Sequence, residues 1–137
     1  MISSPHSEIS KIIGRPWVEN ASGPDAFDCW GVVEYVYKKI GKPLSFNFDF
    51  DHKNKTLVNM CMEIQKESPR FIKIDKAEEY SIALMYESGR PTHVGVIING
   101  DVLHSISSKN NLKGGVCLHK MLFINRMFEK IEYYKPT

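Results

Sequence analysis

Asn99-Gly100 sits between two runs of strand-forming residues, 92–98 and 101–106, and it constrains this chain more than any other short feature. Two adjacent residues able to take positive φ specify a two-residue type I′ turn, whose twist matches that of the strands it joins. The turn fixes the register: Ile98 faces Asp101, Ile97 faces Val102, Val96 faces Leu103 and Gly95 faces His104. Side chains alternate along a strand, so His93, Gly95 and Ile97 share one face, with His104 as a diagonal neighbour of His93. Gly95 leaves the space between the two imidazoles open.

The rest of the chain is predicted around this hairpin. Ser4-Pro5 reads as a cap and first turn, with Ile9, Ile12 and Ile13 on one face and Gly14 as the stop. Residues 15–27 have the composition of a loop, anchored by Trp17 and Val18. A helix then starts at Cys29, carries Val32, Val33, Val36, Tyr37 and Ile40 at helical spacing, and ends at Gly41-Lys42-Pro43. Phe46, Phe48 and Phe50 alternate with polar residues, as an extended segment or a loop over the core. Leu57, Met60, Cys61 and Ile64 predict a further amphipathic helix, which makes Cys61 a core residue. Strand patterns follow at 71–74, 81–86 and 131–134. Helices first and an antiparallel sheet afterwards indicate an α+β fold. At 137 residues, 42% hydrophobic and 25% charged, the chain is expected to form one domain over 1–137.

Eighteen basic against sixteen acidic residues leave a net charge of +2, too little to point to nucleic acid or a membrane surface as a partner. Cys29, Cys61 and Cys117 form no CxxC pair, so neither a disulfide framework nor a paired-ligand zinc site is indicated. No apolar run is long enough to insert in a bilayer. The start, Met1 to His6, lacks a basic segment followed by an apolar one, so synthesis in the cytoplasm without a signal peptide is expected.

Cys29 is the residue whose position most affects its chemistry. At a helix start the unpaired N–H groups and the positive end of the dipole favour a thiolate, which is the nucleophile in cysteine catalysis. Asp28 opposes this unless its oxygens are occupied in capping the helix. Cys29 therefore needs a base, for which His93 is the candidate, with His104 orienting it and fixing its tautomer. Three plainer readings compete: Cys29 as a small buried hydrophobe, the two histidines as half-buried hydrogen-bonded residues, and Cys29, His93 and His104 as zinc ligands. His119, near Cys117, and the Asp49, Asp51 and His52 group are expected to be surface or loop residues without a role.

Gly14-Arg15-Pro16-Trp17-Val18, Gly23-Pro24-Asp25-Ala26-Phe27-Asp28-Cys29-Trp30-Gly31-Val32-Val33, His93-Val94-Gly95-Val96-Ile97 and Leu103-His104 together resemble the NlpC family of papain-like cell-wall cysteine peptidases. The likeness runs from about Gly14 to His104, and Trp30 after the cysteine is similar to the bacteriophage tail-assembly branch. It implies a papain-like fold, Cys29 as nucleophile, His93 as base and then acid, and His104 as its support. It further implies cleavage of peptidoglycan stem peptides at the D-γ-glutamyl to diamino-acid bond through a thioester, without cofactor or metal. Substrate contacts would come from Trp17, Asp28 and Trp30. Family members that bind the amine of a terminal L-alanine carry Tyr where this chain has Trp17 and Ser where it has Trp30. The two indoles would instead offer apolar walls, suited to a stem peptide still attached to glycan. Phage tail proteins are the implied partners, with a virion tail or a dedicated export machine as the destination. An acyltransferase or lipid amidase on the same scaffold, or a non-catalytic tail or wall-binding module, are the alternatives.

Overall fold

The structure is a computed structural model that describes residues 5–44, 71–107 and 114–136. The Phe46, Phe48 and Phe50 segment, the helix expected around Cys61, and Asp49, Asp51 and His52 lie outside the described residues. The elements are α1 (Pro5–Ser10), α2 (Cys29–Lys39), β1 (Phe71–Ile74), β2 (Ile82–Glu87), β3 (Arg90–Ile98), β4 (Asp101–Ile106), β5 (Gly115–His119), α3 (Met121–Met127) and β6 (Lys130–Pro136). The strands form one sheet in the order β1-β6-β2-β3-β4-β5, antiparallel at every pairing. The α+β expectation is met.

The hairpin forms as its sequence specifies. Asn99 and Gly100 both take positive φ, 51° and 82°, and Val96, Ile97 and Ile98 pair with Leu103, Val102 and Asp101. Alternation then sorts the side chains into two layers. Val94, Val96, Ile98 and Leu103 join Ile9, Ile12, Val32, Val33 and Val36 in a core on the face covered by the N-terminal helices. Ala83, Met85, Ile97 and Val102 pack on the opposite face with Ile124 of α3. The sheet is therefore buried on both sides, which is why β2 and β3 read as nearly continuous apolar runs.

One sequence expectation is corrected, and one stretch gains structure that the sequence reading did not assign. Ile13 is 46% exposed, because α1 closes at Ser10 and the Ile12 and Ile13 amides turn back to Ile9 and Ser10 in a tighter turn that swings Ile13 outward. Residues 115–127 carry no strong pattern, yet they form β5 and α3. Cys117 and His119 alternate with Val116 and Leu118; the polar pair is half-buried against His104 while Leu118 is exposed, so the usual in-out signal is scrambled.

The approach to α2 is tightly packed. A Cβ at Gly31 would stand 2.1 Å from the Ala21 carbonyl oxygen and 2.9 Å from Ser22 Cα, both backbone atoms that cannot swing aside. We expect Gly31→Ala to destabilise the fold by about 1–3 kcal/mol or more, read as a lower urea midpoint at unchanged m-value.

Candidate active site

Asp28 caps α2. Its Oδ1 accepts from the Gly31 amide at 2.7 Å and its Oδ2 from the Asn20 amide at 2.9 Å, so one buried carboxylate ties the incoming loop to the first turn. Two charge-assisted bonds spread its negative charge over the backbone, the condition under which Asp28 no longer opposes an anion next to it. Cys29 begins the helix and is 5% exposed.

The same segment is fastened to the sheet. Ser105 Oγ donates to the Phe27 carbonyl at 2.7 Å, linking the residue after His104 to the chain two residues ahead of Cys29. The start of α2 thus lies at the end of the sheet where β3 begins and β4 finishes.

His93 and His104 come together. His93 Nε2 is 2.7 Å from His104 Nδ1, and the rings meet edge to face with centroids 4.9 Å apart. Gly95 permits this approach: a Cβ there would lie 2.7 Å from Val102 Cγ1, 2.9 Å from the Leu103 carbonyl oxygen and 3.1 Å from His104 Cβ. Phe128, just after α3, stacks on His93 with the ring planes 7° apart. Burial pushes His93 down to about 4, helped by His119, and holds His104 lower still, helped by His93 and His119. Both imidazoles are therefore neutral near pH 7, and a neutral imidazole can accept a proton.

His119, expected at the surface, is instead half-buried beside His104. Its Nδ1 lies 2.9 Å from His104 Nε2 and 3.7 Å from Cys117 Sγ, and Phe123 of α3 meets its ring at 4.8 Å. The pairing of β4 with β5 places it there, setting Val102 opposite His119 and His104 opposite Cys117. A strand assignment for 115–119, with Cys117 and His119 on one face, is the signal that would have found it. Burial pushes the half-buried Cys117 thiol up to about 11.

The three expected substrate contacts are placed differently from one another. Trp17 is half-buried, in a bridge to Phe27. Asp28 uses both oxygens on backbone amides. Trp30 is corrected from wall to core: it is 1% exposed and packs edge-on against Phe71, because the position after the helix start turns inward here.

Metal-ligating groups converge at His104, Cys117 and His119, whose donor atoms all lie within 4.8 Å of one another. Two nitrogens on a tetrahedral zinc, each about 2.0–2.1 Å from it, stand about 3.3 Å apart. Within this group the His104 Nε2–His119 Nδ1 separation of 2.9 Å is that of a hydrogen bond.

No family model matches the chain. Over 57 residues it is 35% identical to "Probable endopeptidase p60" of Listeria grayi, a stretch that covers 42% of this chain and 11% of that protein's length. The chain thus spans about a tenth of the curated relative it matches. The fold is similar to the NlpC/p60 domain of peptidoglycan hydrolase SagA, with TM-score 0.55, 18% identity and 95% of each chain covered. It is likewise similar to NlpC2 from Trichomonas vaginalis, with TM-score 0.60, 19% identity, 98% of this chain and 45% of that one. The chain carries the papain-like fold of NlpC/P60 domains.

Because His93 and His104 are held neutral by folding, the unfolded chain binds protons that the folded one refuses. Their contribution to stability is complete above the ordinary histidine pKa of about 6.5 and is lost progressively as pH falls, down to about 4 for His93 and further still for His104. Urea unfolding across that window should show a falling midpoint, with a shallower slope in His104→Asn.

Proposed function

We propose that this chain is a cysteine peptidase acting on the amide bonds of peptidoglycan stem peptides, with Cys29, His93 and His104 as its working set. The observation that carries the reading is the His93–His104 hydrogen bond at 2.7 Å, at the sheet end to which Ser105 fastens the start of α2. The NlpC/P60 fold and the partial likeness to an endopeptidase support it.

The thiol proton of Cys29 passes to His93, whose other nitrogen is held by His104. The sulfur attacks the amide carbonyl, and the oxyanion lies at the backbone N–H of Cys29, at the positive end of α2. Collapse breaks the C–N bond, the amine leaves with the proton from His93, and a thioester remains. Water then attacks that thioester, giving its proton to His93, and the acid is released as the thiol is restored. The D-γ-glutamyl to diamino-acid bond is the proposed target, on the family resemblance. A place in a phage or prophage tail rests on Trp30 following Cys29.

Alkylation tests the nucleophile without a substrate. Cys117 is more exposed than Cys29, so access alone would make it the faster thiol, whereas its raised pKa makes it the slower nucleophile. Peptide mass spectrometry after a short iodoacetamide pulse near pH 7 should find Cys29 modified first, with that preference lost in His93→Ala. On purified muropeptides, Cys29→Ala should abolish cleavage and His93→Ala should lower kcat by about 1,000-fold or more. Cleavage that survives Cys29→Ala would refute the proposal.

A further inference from the structure

The base proposed above has a requirement that two residues alone do not meet. His93 turns Nε2 toward His104, so the nitrogen left for the thiol proton is Nδ1, and it must carry a lone pair. The neutral ring then has its proton on Nε2, donated to His104 Nδ1. His104, also neutral, must in turn carry its proton on Nε2. It is fully buried, and a buried N–H needs an acceptor.

His119 Nδ1, 2.9 Å from His104 Nε2, supplies that acceptor. Resting on the peptidase reading, we infer that His119 is a positioning residue that fixes the tautomer of His104 and, through it, that of His93. The alternative chain of bonds runs the other way. A proton on His119 Nδ1 would be donated to His104 Nε2, His104 would donate from Nδ1 to His93 Nε2, and His93 would hold its own proton on Nδ1. In that arrangement His93 has no lone pair for the thiol. Only one of the two directions yields a base, and His119 selects it.

A further contact is compatible with the productive direction: Cys117 Sγ lies 3.7 Å from the same Nδ1, where its S–H can donate to the lone pair that this direction leaves there. Phe123 of α3 packs against the same ring at 68° to its plane. No proton leaves the protein along this row. Each ring hands its neighbour a hydrogen bond, and the outermost nitrogen, Nε2 of His119, carries the last proton.

The experiment compares His119→Phe, which keeps a ring against Phe123 but removes the acceptor, with His119→Asn, whose amide oxygen can stand near the place of Nδ1. Ring-nitrogen NMR of histidine-labelled protein reads the His104 tautomer without substrate, muropeptide cleavage gives kcat and KM, and thermal unfolding checks that each variant is folded. We expect a single Nε2–H tautomer of His104 in the wild type and a shift toward Nδ1–H in His119→Phe. In that variant kcat should fall roughly 10- to 100-fold at unchanged KM, and His119→Asn should restore both tautomer and turnover to within about threefold of wild type. An unchanged tautomer, or an unchanged kcat, in folded His119→Phe overturns the inference. Failure of the peptidase reading is seen separately, as wild-type protein that does not cleave muropeptides or as cleavage that survives Cys29→Ala, because the tautomer is observed in either case.

Discussion

The pairing of β3 with β4 is the constraint on which the site depends. A slip of one residue would carry His104 to the face occupied by Leu103 and send Leu103 among the histidines, since side chains alternate with a period of two. The Asn99-Gly100 turn prevents the slip locally, and the two apolar layers prevent it globally, because Val96 and Ile97 are each buried on their own side. Gly95 is the place where this register becomes chemistry. With no Cβ, it lets two rings approach across neighbouring strands to hydrogen-bond distance.

A second fixed point is the Asp28 carboxylate. Its two oxygens hold amides eight residues before and three residues after it, so the loop and the helix start are set against each other before any substrate arrives. Gly31 allows that loop to lie directly on the first turn of α2. Ser105 completes the connection by bonding the Phe27 carbonyl from the strand that carries His104. Helix start and histidine pair are thus joined by short, buried side chains bonded to backbone groups, an arrangement that holds reacting groups in place.

Burial shapes the electrostatics. The interior disfavours charge on His93 and His104, which leaves them neutral and able to take a proton, at the expense of stability in acid. Buried imidazoles must also satisfy their N–H groups, and two hydrogen bonds, His93 to His104 and His104 to His119, link the buried pair to a third ring. On this face α3 packs on the sheet through Ile124, and Phe128 lies flat against His93.

The sequence by itself determined what local rules govern. The turn, its register, the helix beginning at Cys29 and the capping carboxylate all depend on residues within about ten positions of one another, where backbone preference and alternation act directly. The facing of His93 and His104 was legible for the same reason. What only the tertiary structure decided involves partners far apart in the chain. β5 is a short strand whose polar face lies half-buried against a buried histidine, so no in-out pattern announces it, and His119 gains its place only when β5 pairs with β4. Trp30 was assigned to a pocket by resemblance and went to the core, because Phe71, forty-one positions away, supplies the surface its indole packs on. Local sequence fixes which way a side chain leaves the backbone, and packing between distant elements decides what it meets there.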